Sequence, residues 1–182
     1  MRIEKLKREQ NVKVKWVHFP LHPDTPSGGM SLEALFAGRG FNLAQKQAEM
    51  RARMQAEGLP YGNRTMTYNS RLAQELGAWA DTQPGGDALH DAIFRAYFVD
   101  GLNIGDAGVL VGLAKKAGLP EDQAREVLEK RLFREAVDAD WAKSREYGVT
   151  GVPTFVAGGY GVVGAQPYEA LEQLAKQARG KA

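Results

Sequence analysis

The 182-residue chain carries 24 basic and 22 acidic side chains, a formal charge of +2, with the two signs interleaved along its length. That balance leaves no duplex-sized basic footprint, which argues against nucleic acid as a partner. Cysteine is absent, and with it go structural disulfides, thiolate nucleophiles, cysteine-ligated metals and dithiol redox pairs within these residues.

The length suits one substantial core, or one core with an inserted satellite. No window reaches the ~18 continuous apolar residues of a membrane span. Met1 leads directly into charged RIEKLKRE, without the apolar segment of a signal peptide. The expectation is a cytoplasmic protein with no membrane partner.

Residues 2–9 read as the last turns of a charged helix, with Ile3 and Leu6 three apart on its apolar side. VKVKWVHF, residues 12–19, then alternates Val12, Val14, Trp16 and His18 against Lys13, Lys15, Val17 and Phe19. Such alternation predicts a strand with at least one buried face, ended by Pro20. Pro23, Pro26 and a glycine pair make the following stretch an extended connection. A short helix is expected at 32–36 and a longer one at 42–57, where Leu43, Gln47, Met50 and Met54 share a side and Gly58 supplies the stop.

Another helix starts near Asn69 or Ser70, with Leu72, Leu76 and Trp79 at packing intervals. ALHDAIFRAYFVDG follows, aligning Leu89, Ile93, Ala96 and Tyr97. Two more helices, 105–117 and 121–130, are punctuated by GLNIGD and GLPED, glycine stops followed by acidic starts. Residues 132–147 form a further helix ending at Gly148. The period then changes: PTFVAGGYGVVG reads as two short strands around an AGG turn, and 167–179 as a closing helix with Pro167 near its first turn.

Most polar constellations read as structural. His18 and His22 are four apart, but the intervening FPL excludes a metal-binding helix, and His90 sits on an apolar helix; no Cys/His set supports a metal site, and no cofactor is expected. Asp87 with Asp91 and Glu126 with Lys130 have helix-surface spacing. Ser70, His90 and Asp91 supply hydrolase residue types without a nucleophile elbow. GGYGVVG lacks both the Rossmann glycine spacing and the Walker lysine. Trp16, Phe19, Phe94, Tyr97, Phe98, Phe133 and Trp141 are packing candidates.

Pro153 cannot donate to a ladder, so it belongs at a strand entrance, edge or bulge. Only ~5% of X-Pro bonds in folded proteins are cis, so trans is the physical starting point. A cis bond would turn Thr150, Gly151 and Val152 outward toward a ligand; a simple structural turn is the other reading.

EYGVTGVPTFVAGGYGVVGAQP, taken with FRAYFVDGLNIGDAGVLVGLAKKAGL, resembles the DsbA-like thioredoxin-fold family, and especially its FrnE-like branch with a helical insertion. WVHFPLHPD is similar to the strand and proline-rich exit that follow the family's first helix. The resemblance implies an α/β, thioredoxin-like fold, DsbA-like, with an inserted helical domain and the first central strand absent. It divides the chain into a partial thioredoxin-like domain at 1–41, a helical insertion at 42–130, and the C-terminal half with cis-Pro loop and hairpin at 131–182.

The same resemblance implies that Thr150, Val152 and Pro153 form the loop that contacts a polypeptide substrate, beside a CxxC motif at the mouth of the first helix. Neither cysteine carries over, so no catalytic residue is assigned. The parent activity would be thiol-disulfide oxidoreduction, with the 182 residues themselves redox inactive. A cysteine-free peptide-binding module is one alternative. A relative of hydroxychromene-carboxylate isomerase and kappa glutathione transferase is another, with no glutathione-contact residue assignable. A truncated or misassigned start is expected, and the strand edges it would leave suggest a homodimer, a local strand rearrangement or strand exchange.

Overall fold

The structure, a computed structural model, describes residues 2–40 and 42–180. In chain order the elements are α1 (Arg2–Gln10), β1 (Met30–Ser31), α2 (Leu32–Phe36), α3 (Leu43–Ala56), β2 (Met66–Thr67), α4 (Arg71–Ala80) and α5 (Asp87–Phe98). They continue with α6 (Ala107–Lys116), α7 (Glu121–Glu129), α8 (Arg134–Glu146), β3 (Thr154–Ala157), β4 (Tyr160–Val163) and α9 (Tyr168–Arg179). Two compact units result: residues 1–21 with 138–182, and residues 22–137.

The larger unit is built on helices whose apolar residues recur at helical spacing. Leu76 and Trp79 of α4, Leu89 and Ala96 of α5, Leu110 and Ala114 of α6, and Ala124 and Leu128 of α7 form one buried cluster. Both ends of α6 have a local cause. Asp106 caps α6 by accepting the Val109 amide at 2.8 Å, satisfying a donor the helix cannot. Gly118, at φ 81°, ends it, with the Leu119 amide reaching back to the Ala114 carbonyl at 3.0 Å, the bond of a glycine-terminated helix.

The same unit holds β1 paired antiparallel with β2, Met30 opposite Thr67 and Ser31 opposite Met66. This ribbon is too short to show a period in sequence. Gly29 enters it at φ 80°, where a Cβ would lie 2.5 Å from the Tyr68 ring; any larger residue would collide.

Glu75 of α4 is fully buried. Arg131 donates from Nε to Oε2 at 2.6 Å and from Nη2 to Oε1 at 2.7 Å, and Arg71 donates from Nε to Oε1 at 2.6 Å. Arg131 reaches it from a left-handed backbone, φ 52°. Burial pushes the Glu75 carboxyl up, but the hydrogen bonds and charges of Arg131 and Arg71 together outweigh it, and the net displacement is downward.

In the smaller unit, Leu6 of α1 packs with Leu171 and Ala175 of α9, joined by Ile3, Val12, Phe155, Val162 and Tyr168. Polar contacts reinforce the helix pair: Gln10 donates to Glu172 at 2.8 Å and Tyr168 to Glu9 at 2.7 Å. The β3–β4 hairpin pairs Phe155 with Val162 and Ala157 with Tyr160. Gly158 and Gly159 form its turn at φ 58° and 80°, the two positive values that match the twist of a tight hairpin.

The strand expected at 12–19 does not form. Val12 and Val14 are half-buried and Lys13 and Lys15 exposed, so the alternation survives as a burial pattern. A strand also needs a ladder, and no strand among the described residues pairs with this segment. Instead His18 is tied to α8: its amide and its Nδ1 both meet Asp140 Oδ2, at 3.0 and 2.9 Å. Two aromatic packing candidates are also corrected. Trp16 is 45% exposed and Phe94 is 53% exposed, Phe94 stacking on Phe98 with centroids 6.3 Å apart.

Glu75→Gln removes one partner of a buried ionic cluster and is expected to cost about 3–5 kcal/mol at neutral pH. Because the folded pKa is depressed, the carboxylate's contribution is complete above the ordinary carboxylate range and is lost as pH falls through the lowered value. Urea denaturation of both proteins from neutral pH downward should show the difference between them shrinking in acid.

Candidate functional site

The loop between α8 and β3 is set from both ends. Gly148, at φ 64°, ends α8, and the Val149 amide donates back to the Ser144 carbonyl at 2.9 Å. At the other end the Gly164 amide donates to the Pro153 carbonyl at 2.7 Å, carrying the hairpin pairing one step beyond β4. Between these anchors Thr154 Oγ1 donates to the Gly151 carbonyl at 2.7 Å. The Val152–Pro153 peptide bond is cis, where the bare frequency of X-Pro bonds favours trans.

Thr150, Val152 and Pro153 therefore sit together in one short loop, all three exposed, with Val152 51% open to solvent. Among the described residues the backbone amide and carbonyl of Thr150 and of Val152 have no hydrogen-bond partner. Just past the loop, β3 pairs with β4 on one side only. The hairpin face carrying Phe155 and Val162 lies against the α1–α9 cluster. The opposite face leaves Val156 and Val163 exposed. Chemically this is a short bent run of exposed backbone donors and acceptors leading into a strand with outward-facing valines, an arrangement able to accept an added strand.

The other polar candidates do not converge on this loop. His90 Nε2 lies 2.7 Å from Asp81 Oδ1, and the Ser70 hydroxyl accepts from Gln74 at 3.1 Å, so the hydrolase residue types are engaged elsewhere. Among the described residues no group of three or more His, Asp or Glu side chains is arranged to hold a metal. Glu126 and Lys130 form the expected surface pair at 2.7 Å. His22 is held below the usual imidazole value by burial and by the charges of Arg39 and Arg64. No helix among the described residues is long and apolar enough to cross a membrane.

Thr154 and Asp140 were not singled out from sequence. Thr154 was legible only as a strand residue; its tie to Gly151 depends on how the loop folds back. The exposure of Val156 and Val163 follows from strand alternation once Phe155 is assigned to the buried face.

The family described as the DSBA-like thioredoxin domain matches residues 1–176, and the chain belongs to that family. A probable DsbA oxidoreductase from Streptomyces coelicolor, known from its crystal structure, is similar with TM-score 0.88 and 33% identity, over 100% of this chain and 83% of that one. The uncharacterized protein YwbO of Bacillus subtilis is 25% identical over 165 residues, 90% of this chain and 81% of that protein. A 2-hydroxychromene-2-carboxylate isomerase structure, at TM-score 0.71 and 18% identity over 99% of this chain and 86% of that one, shares the fold alone. The fold is thus α/β, a DsbA-like thioredoxin fold rich in helix and poor in strand.

Thr154→Val keeps the side-chain shape but removes the donor to Gly151. It is expected to lower stability by about 0.5–1.5 kcal/mol, read as a shifted urea midpoint, while Thr154→Ser retains the bond and most of the stability.

Proposed function

We propose that this domain binds extended polypeptide at the loop of Thr150, Val152 and Pro153, serving as the recognition surface of a DsbA-like thiol-disulfide system. One observation carries the reading: the exposed Thr150 and Val152 backbone groups without internal partners, directly before the one-sided β3 strand. Main-chain hydrogen bonds along such an edge supply affinity for many sequences, while Val152, Val156 and Val163 offer apolar contact for alternate side chains.

Thiol-disulfide exchange needs a thiolate to attack one sulfur and a second thiolate to leave. These 182 residues hold no cysteine, so in this reading they are redox inactive and every sulfur exchanged beside the loop comes from outside them. The family match and the 33% identity with a probable DsbA oxidoreductase support this parent chemistry over isomerase chemistry, for which the likeness is one of fold. The FrnE-like branch, a cytoplasmic location and pairing with a second copy belong to the same proposal.

Fluorescence anisotropy with a labelled, unfolded and alkylated polypeptide tests it. Saturable binding is expected, and Val152→Asp should weaken it about tenfold, the order of losing ~1.4 kcal/mol of apolar contact. Absence of binding, or binding indifferent to Val152→Asp, would overturn the site. In parallel, dithiothreitol-driven insulin reduction should proceed at the buffer rate; acceleration by this chain would refute redox inactivity.

A further inference from the structure

A row of aromatic rings on the larger unit ends in solvent at α5. Tyr61 stacks on Phe98 with centroids 6.3 Å apart and planes at 26°, and Phe98 stacks on Phe94 at 6.3 Å and 21°. Phe94 is the last ring, and more than half of it is exposed. An exposed aromatic by itself is ordinary. One that closes a stacked row presents a face suited to a further ring.

The row is held before anything docks on it. Tyr97 meets Phe98 edge-on at 4.8 Å. The Arg64 guanidinium lies over Tyr97 at 4.3 Å and over Phe98 at 5.4 Å, and Thr67 Oγ1 shares a 2.9 Å hydrogen bond with the Tyr97 hydroxyl. Rings fixed in this way lose little freedom on contact with a partner.

Charge decides what kind of partner. Asp91, Phe94, Arg95 and Phe98 recur at helical spacing and share one side of α5, while Leu89 and Ala96 on the other side enter the core. Asp91 and Arg95 are exposed, and neither makes an ion pair among the described residues, with each other or with any other group. The face thus carries an acid toward its N-terminal end and a base toward its C-terminal end, with Phe94 one residue from their midpoint. Laid antiparallel on itself, this pattern is complementary; laid parallel, it sets acid on acid and base on base. A two-fold axis through the midpoint brings Asp91 level with Arg95 of the second copy, repeats that pair on the other side, and places Phe94 against its own copy. Such reciprocity is what a closed dimer requires.

We propose that the solvent face of α5 is a self-association surface, pairing antiparallel with α5 of a second copy through reciprocal Asp91–Arg95 ion pairs around a Phe94–Phe94 contact. The interface rests on the second-copy pairing proposed above, for which it supplies the surface, and is independent of the polypeptide-binding reading. α5 is 12 residues long, about 18 Å of helix, so the contact is small and the dimer weak and reversible.

Analytical ultracentrifugation of the full chain, from a few to several hundred micromolar, tests it. The parent is expected to pass from monomer to dimer over that range. Asp91→Arg and Arg95→Asp each set like charges opposite one another twice, and each should raise the dissociation constant at least about tenfold. An equimolar mixture of the two variants restores both opposite-charge pairs, so it should dimerise about as well as the parent; a charge that matters only within its own helix cannot produce this rescue. Phe94→Asp should weaken the dimer by a similar factor of about ten. Circular dichroism establishes that each variant is folded, and the two charge reversals, both at exposed positions, suffice without Phe94→Asp. A parent that stays monomeric throughout would overturn this interface together with the pairing it rests on. A parent dimer indifferent to the single reversals, or a mixture no better than its components, would overturn the interface alone.

Discussion

A two-stranded ribbon is at best marginal in water by itself, and the geometry of the candidate loop depends on how this one is held. Phe155 and Val162, opposite each other in the β3–β4 register, bury against Leu6, Leu171 and Ala175. Once that face is anchored, strand alternation turns Val156 and Val163 outward, and the Gly164–Pro153 bond extends the ribbon to the loop. The helix pair α1–α9 thus does for the hairpin what further strands do in a wider sheet. Substrate recognition, in the reading advanced above, is exercised on a scaffold whose rigidity comes from one side.

The larger unit solves a different problem. Its core is an ordinary apolar cluster, mostly leucine, valine and alanine with Trp79 and Ile104, and α4 also carries a buried carboxylate. Burying an isolated carboxylate is prohibitive, and pairing it with charged donors recovers the loss only when the geometry is close. The two arginines come from positions 71 and 131, so the cluster ties the start of α4 to the residues just after α7.

Much of the helical framework was legible because its causes are local. Apolar residues at helical spacing, acidic starts and glycine stops located α2 at 32–36 and the helices from α3 to α9 within a few residues, and the AGG turn located the hairpin. What was not legible is nonlocal. VKVKWVHF carries a strand's alternation, but pairing depends on a partner strand that its own residues do not encode. Glu75 and Arg71, four apart, look like a surface helix pair; only the distant Arg131 reveals burial. The ribbon β1–β2 is too short for any period to show. Within the candidate site, Thr150, Val152 and Pro153 were found through family resemblance, since chemistry alone leaves a proline at a strand entrance as a plain turn. Trp16 and Phe94 show the reverse failure, since an aromatic in a periodic pattern need not face the core.

Arg131 closes α7 in a conformation that suits glycine better than any side chain, at a backbone cost of about 1–2 kcal/mol. The glycine that would relax the chain there would also delete the fork on Glu75. Consensus engineering that swaps left-handed positions for glycine, a routine route to sturdier proteins, is therefore closed at this residue. Local comfort and ionic satisfaction pull it in opposite directions, and the arginine marks where the second prevailed.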